Sequence, residues 1–245
     1  MVGGSEIAAD AYGEAFADVY DDWYDGVTDA PATAAFIGAL RPGGLVLEVG
    51  VGTGRLAAPL VAAGLRVVGI DASVAMLARA ADRRLGVGLV GGDMRALPMR
   101  GPVDVALVAF NTLFNVPTAA GQQAVLAEVA RVLAPDGLLV IEAIDTAGFG
   151  TTAETHLGLR SHGAGDATVV GTRTDPVAQV VDGAHVQLWG GGVRVRPWQI
   201  RWTPTGELDA WAEEVGLALL DRFADWEATP HHEGADVHIS VYGRR

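Results

Sequence analysis

Glu48, Gly50, Gly52 and Gly54 fall on alternate positions of Leu45-Val46-Leu47-Glu48-Val49-Gly50-Val51-Gly52-Thr53-Gly54-Arg55. Glycine opens backbone angles closed to other residues and lets a ligand approach the main chain. A helix starting at about Arg55 adds unpaired N–H donors and a partial positive charge. The group makes a cradle for a nucleotide or cofactor. A dinucleotide fingerprint, G-x-G-x-x-G, would set its third glycine at Arg55. Here it comes one residue early, and an acid stands two residues before the first glycine. Such an acid suits a cationic ligand and repels a phosphate. Asp71 closes a second apolar run, Leu65–Asp71, where a carboxylate can accept both hydroxyls of an adenosine ribose. NAD enzymes use the same position, so Asp71 does not choose between cofactors. Asp93 stands likewise in a third run, Val87–Met94. Of the six histidines, His231 and His232 are the candidate general bases. With Glu233 they match no standard metal-ligand spacing, and no metal is expected.

These groups need a sheet edge to gather on. Apolar runs read as strands at Leu45–Val49, Leu65–Asp71, Val87–Met94, Val103–Val108 and Leu138–Ala143. Helices are expected between them over Leu56–Ala63, Val74–Arg84, which Ser73 would cap, and Gln122–Leu133. Pro31–Leu40 reads as a helix before the first strand. Tyr12, Phe16, Val19, Tyr20, Trp23 and Tyr24 recur at helical spacing over Asp10–Asp25, after a loose tail at 1–9. From 146 to 203 the pattern changes to alternation, with Ala184–Trp189 and Val193–Trp202 flanking a turn at Gly190–Gly192. This predicts an antiparallel β insertion whose Arg194, Arg196, Trp198 and Trp202 are strand-surface residues. A last helix, Pro204–Gly216, precedes strands at Leu217–Trp226 and Ala235–Tyr242. If the sixth strand is parallel, the connection carrying His231 and His232 lies on the active edge. The expected fold is an α/β, Rossmann-like, seven-stranded mixed sheet with its last strand antiparallel. It is divided as a core at 1–145, the insertion at 146–203 and the core's completion at 204–245.

Composition narrows the function classes. The chain has 245 residues, half of them hydrophobic, which suffices for a sizeable core. All 17 basic residues are arginine, against 30 acids, for a net charge of −13. That balance repels nucleic acid. With no cysteine there is no disulfide or thiolate chemistry. No apolar run of membrane-spanning length and no secretion signal stand out, so a cytoplasmic protein is expected.

The run E-x-G-x-G-x-G from Glu48 resembles the first motif of the class I S-adenosylmethionine-dependent methyltransferases. Further likenesses are Gly92-Asp93-Met94, a "YDxxY"-like helix around Tyr20, Asn111-Thr112-Leu113-Phe114, and R-V-L-x-P-x-G from Arg131. His238-Ile239-Ser240-Val241-Tyr242 is similar to the end of some actinobacterial members. The N/D-P-P-Y/F tetrapeptide of adenine and glutamine N-methylating members is missing after the fourth strand. The resemblance implies S-adenosyl-L-methionine as cofactor, its methionyl end in the glycine loop. Contacts to it are implied for Tyr20, Glu48, Gly50, Gly52, Thr53, Gly54, Arg55, Asp71, Ala72, Met76, Asp93, Met94, Phe110 and Asn111. Asp93 would accept from the adenine amino group and the Met94 N–H would face the ring. Acceptor contacts are expected from Tyr12, Trp23, Asn115, Glu142 and Trp198. Thr112 and Phe114 would wall the site. The implied reaction is methyl transfer to an amino, hydroxyl or carbon nucleophile of a small molecule, in secondary metabolism, by a possible homodimer. Alternatives are a peptide N-terminal amine as acceptor, or a cofactor-binding cyclase, hydrolase or sensor that transfers no methyl.

Overall fold

The computed structural model describes residues 8–244 except 25, 28, 148 and 150. Most of the tail at 1–9, and Asp25, lie outside the described residues. The Asp10–Asp25 stretch forms two short helices, α1 (Ala11–Phe16) and α2 (Tyr20–Tyr24), rather than one. The break falls at 17–19, where Asp18 turns its carboxylate to Arg194 and Arg196. Helix α3 (Ala30–Leu40) follows, its N-terminus capped by the Asp29 side chain.

The core then runs β1 (Leu45–Val49), α4 (Ala57–Ala62), β2 (Arg66–Asp71), α5 (Val74–Asp82), β3 (Gly88–Gly91), β4 (Val103–Val108), α6 (Ala119–Val132) and β5 (Leu133–Ile144). After an insertion it resumes with α7 (Thr205–Glu214), β10 (Leu217–Phe223) and β11 (Val237–Arg244). The sheet order is β10-β11-β5-β4-β1-β2-β3. Strands β1 to β5 are parallel, and β11 is antiparallel to both β5 and β10. β5 begins at Leu133, ahead of the run expected from Leu138, and its pairing with β4 shifts register between Val103 and Val105.

Apolar residues on both faces of the central strands explain their burial between helices. Leu47 and Val49 face α6 and α7, packing with Val125, Val129, Leu208 and Trp211. Val46 faces the other way, toward Ala34, Ile37 and Leu60 of α3 and α4. The parallel strands thus end together on one edge, with the glycine loop, Asp71, Phe110 and Asn111 along it.

The insertion is a separate antiparallel sheet in the order β6 (Glu154–His162), β7 (Asp166–Asp175), β8 (Val180–Trp189) and β9 (Gly192–Arg201). It has four strands where alternation had marked two. Its two faces differ. His185, Arg196 and Trp198 turn inward onto α1 and α2, meeting Phe16, Trp23 and Asp18. Leu157, Leu159, Val193 and Val195 are 58–74% exposed. Leu159, Val169, Val186 and Val195 share one cross-strand row.

Candidate functional site

Two clefts meet at the edge and share Tyr20, Phe110 and Thr112. The first holds about 350 Å³ of empty space, counting its open mouth, and lies over the glycine loop. Its floor is Glu48 to Gly52, with Arg55, Leu56 and Ala109 beside it. Gly50, Gly52 and Gly54 all have positive φ (74°, 55° and 79°). Their reasons differ. A Cβ on Gly50 would meet the Thr112 methyl at 2.5 Å and one on Gly54 would meet Leu85 at 2.9 Å, whereas one on Gly52 would meet nothing within 4 Å. Gly52 therefore borders open space, and the other two allow close packing.

Glu48 is 4% exposed, and its Oε2 has no hydrogen-bond partner. Burial pushes its carboxyl up to about 8; Arg55 pulls it down and Asp71 pushes it up. Asp71 shapes the loop as well as facing it. Oδ2 accepts the Gly52 N–H at 2.9 Å and Oδ1 the Ser73 N–H at 2.8 Å, while burial raises its pKa. A cationic amino-acid-like group fits this floor, because it would partner the buried Glu48 oxygen and fill the room beside Gly52.

The lid over the cleft is α2. Tyr20 lines it, and Asp21 ties the helix down by accepting the Thr53 hydroxyl at 2.6 Å and pairing with Arg83 at 2.7 Å. Thr53, expected at the cofactor, is thus fully buried under the lid. Met76, also expected there, is buried against Phe16 and Ala17 at the C-terminal end of α1. Asp93 accepts bidentately from Arg95, which lowers its pKa, and both Asp93 and Met94 lie outside the lining of the two clefts.

The exit of β4 is bent sharply. Phe110 and Asn111 are both left-handed, at φ 52° and 60°. Asparagine tolerates this region; phenylalanine is strained there, at a cost of about 1–3 kcal/mol. Neighbours hold the bend. Glu142 Oε2 accepts the Phe110 N–H at 2.8 Å, and Asn111 Oδ1 accepts the Ile144 N–H at 2.7 Å. Trp226 Nε1 donates to the other Glu142 oxygen. Glu142, expected at the acceptor, therefore has both oxygens on protein donors and lines neither cleft. The bend carries Phe110 beneath the Arg55 guanidinium, 5.1 Å from its ring centre.

The second cleft, about 910 Å³ with its open part, lies between α1, α2, the β4 exit and the inner face of the insertion. Tyr12, Asn115 and Trp198 line it as expected. Trp23 lies behind the wall, packed on Phe16 and His185. Tyr24, Arg160, Val170, His185 and Ile200 line it too, and were not anticipated. Tyr24 was within reach of sequence reasoning, since Tyr20 and Tyr24 are four apart on one helix face. Arg160 and His185 had no such signal, because strand pairing in the insertion sets the direction of His185 and an irregularity in the β6–β7 pairing that of Arg160.

Three titratable side chains in this wall are held as donors. Burial raises the Tyr12 phenol well above its usual range and pushes Tyr20 up to about 12. Burial first, then Arg160 and Arg196, lowers His185 to about 4. The His185 Nδ1 lies 3.1 Å from Trp198 Nε1, which can only donate. The neutral ring therefore carries its proton on Nε2.

His231 and His232 stand elsewhere. His231 Nε2 pairs with Asp145 Oδ2 at 2.6 Å and His232 Nδ1 lies 3.0 Å from the Glu233 carbonyl. Neither of these candidate bases lines either cleft. β10, antiparallel to β11 as β11 is to β5, runs parallel to the core strands, so its exit loop does lie on the active edge, but β11 and β5 stand between it and the β4 exit. Among the described residues no cluster of side chains has the makings of a metal site.

Comparison with known proteins agrees with this geometry. Residues 46–137 match the family described as "Methyltransferase domain". The solved structure of the CcbJ methyltransferase from Streptomyces caelestis is 31% identical, superposes with a TM-score of 0.90, and is covered over 99% of its length by 97% of this chain. The cypemycin N-terminal methyltransferase of a Streptomyces species is 29% identical over 89% of this chain and 87% of its own. A demethylmenaquinone methyltransferase of Beutenbergia cavernae is 37% identical, but the match spans only 46% of that protein.

Proposed function

The chain belongs to the class I S-adenosylmethionine-dependent methyltransferases, and from that premise we propose that it methylates the amino nitrogen of a small natural product or short peptide. S-adenosylmethionine supplies a methyl group on a sulfonium, and the Glu48–Gly52 floor, Arg55 and Asp71 are the residues to hold it. The observation that carries the choice of nitrogen is the lining of the second cleft, which holds no carboxylate and whose one histidine has its Nδ1 taken by the Trp198 Nε1–H. Tyr12, Tyr20 and His185 all present protons, so none of them removes one. A neutral amine attacks without prior deprotonation; a hydroxyl or carbon acid needs a base. Tyr20, Phe110 and Thr112, which border both clefts, then align donor and acceptor and exclude water, the main source of acceleration for such a transfer.

The named methyltransferase relatives do not favour a sensor, cyclase or hydrolase on this fold. Residues 146–203 act as a substrate roof in this reading, and their outer apolar face supports a homodimer, checked by sedimentation. A cytoplasmic enzyme is consistent with described helices none of which is long and apolar enough to cross a membrane. The test is turnover of methyl-labelled cofactor with paired amine and alcohol acceptors. Label on nitrogen, with a rate that rises with pH as the amine deprotonates, is expected; label on oxygen or carbon overturns the reading.

A further inference from the structure

Arg160 is the one residue in the lining of the acceptor cleft that carries a formal charge at neutral pH, and no carboxylate faces it there. The neighbouring arginines differ. Arg194 and Arg196 share the Asp18 carboxylate, each at 2.6 Å. Among the described residues Arg160 makes no ion pair. Its guanidinium is nevertheless placed, lying 4.9 Å from the Trp23 ring centre and 5.1 Å from that of Tyr24. One of its nitrogens donates to the Trp23 carbonyl at 2.8 Å. A guanidinium held against two rings keeps further N–H donors for a planar anion. The second directed group in the same wall is His185 Nε2–H, its orientation set by Trp198 and by the rings of Phe16 and Trp23.

We infer that this cleft takes an acceptor that carries a carboxylate as well as its amine, the carboxylate bound by Arg160 with His185 Nε2–H as a second donor. The inference rests on the amine reading above and narrows its substrate class to amino-acid-like zwitterions. Charge argues the same way at two ranges. A net charge of −13 repels a free anion from a distance but is indifferent to a neutral zwitterion. Inside the cleft, an ammonium meets a cation and no counter-charge, so the amine is favoured in its neutral, nucleophilic form.

The test uses full-length protein saturated with S-adenosylhomocysteine and follows tryptophan fluorescence, since Trp198 lines the cleft and Trp23 lies beneath Arg160. The probes are 3-phenylpropionate and its isosteric amide, 3-phenylpropionamide, at pH 7. The carboxylate is expected to bind at least tenfold more tightly. Arg160→Gln should abolish that preference and Arg160→Lys should keep part of it. S-adenosylhomocysteine affinity, measured by calorimetry, should be unchanged in both variants. Equal binding of the two probes, no saturable quenching by the carboxylate, or a preference that survives Arg160→Gln overturns the inference. Loss of the methyltransferase reading would show separately, as failure of the wild-type protein to bind S-adenosylhomocysteine.

Discussion

The two clefts that meet at Tyr20, Phe110 and Thr112 are built in opposite ways. The cofactor cleft is mostly one continuous stretch of chain, with Glu48, the positive-φ Gly50 and Gly52, and Arg55 within eight residues, and Asp71 holding the Gly52 N–H from the adjacent strand without lining the cleft itself. Its selectivity lies in backbone shape and buried carboxylates. The acceptor cleft draws on residues as far apart as Tyr12 and Ile200. Its selectivity lies in aromatic rings, fixed donors and one arginine. In the proposed reading the methyl donor is held by local backbone geometry, while the acceptor is read by side chains brought together from distant parts of the chain.

That contrast can be broken most severely at Gly52. Gly52→Val puts a branched side chain at φ 55° into the open space of the cofactor cleft. Calorimetry with S-adenosylhomocysteine should show a loss of more than about a hundredfold, the strain alone costing about 1–3 kcal/mol. Asp71→Ala leaves the Gly52 and Ser73 N–H groups without their acceptor. Weakening of about 1–3 kcal/mol in the same measurement is expected. Unchanged affinity in both variants would detach the loop from the cofactor.

Glu48 sharpens the comparison through pH. Between about 4.5 and 8 the native chain keeps a proton on Glu48 that the unfolded chain has released. Stability of the ligand-free protein should fall as pH rises through that window, because the native state binds more protons there. Glu48→Gln should flatten this contribution in thermal melts across the window. Cofactor binding to the wild type should release protons below about pH 8, seen by calorimetry in buffers of different ionisation enthalpy. No proton release would refute the pairing of Glu48 with a cation.

Smaller effects are expected on the acceptor side. Trp198→Phe removes the N–H that fixes the His185 tautomer. It should raise the acceptor KM several-fold, the worth of about one hydrogen bond, and leave cofactor affinity alone. His231→Ala should do least, with kcat within about twofold at each pH, because its pair with Asp145 lies outside both clefts. A collapse of turnover in that variant would return the catalytic role to the β10–β11 loop.

Periodicity and glycine placement made the seven-stranded core legible because both are local properties of the chain. The ends of β1, β2 and β4, the Ser73 cap and the glycine loop lie where the sequence predicts them, whereas β3 stops at Gly91 and β5 starts at Leu133. Long-range assignments were harder. Glu142 and His231 sit at strand exits like real ligands, yet both turn to protein partners, Phe110 and Trp226 in one case and Asp145 in the other. A strand exit marks an edge of the sheet but does not say which way a side chain points.

By itself, then, the order of residues determined a parallel-stranded core and a bend suited to a cationic tail, since hydrophobic period and backbone freedom act over a few residues. Only the tertiary structure decided what lines the acceptor cleft. His185 faces it because hydrogen-bonded register in the added sheet turned its strand inward, and Arg160 stands at the irregularity between Leu159 and Ser161, where the pairing of β6 with β7 slips. That register depends on pairing partners many residues away, which no short window of sequence contains.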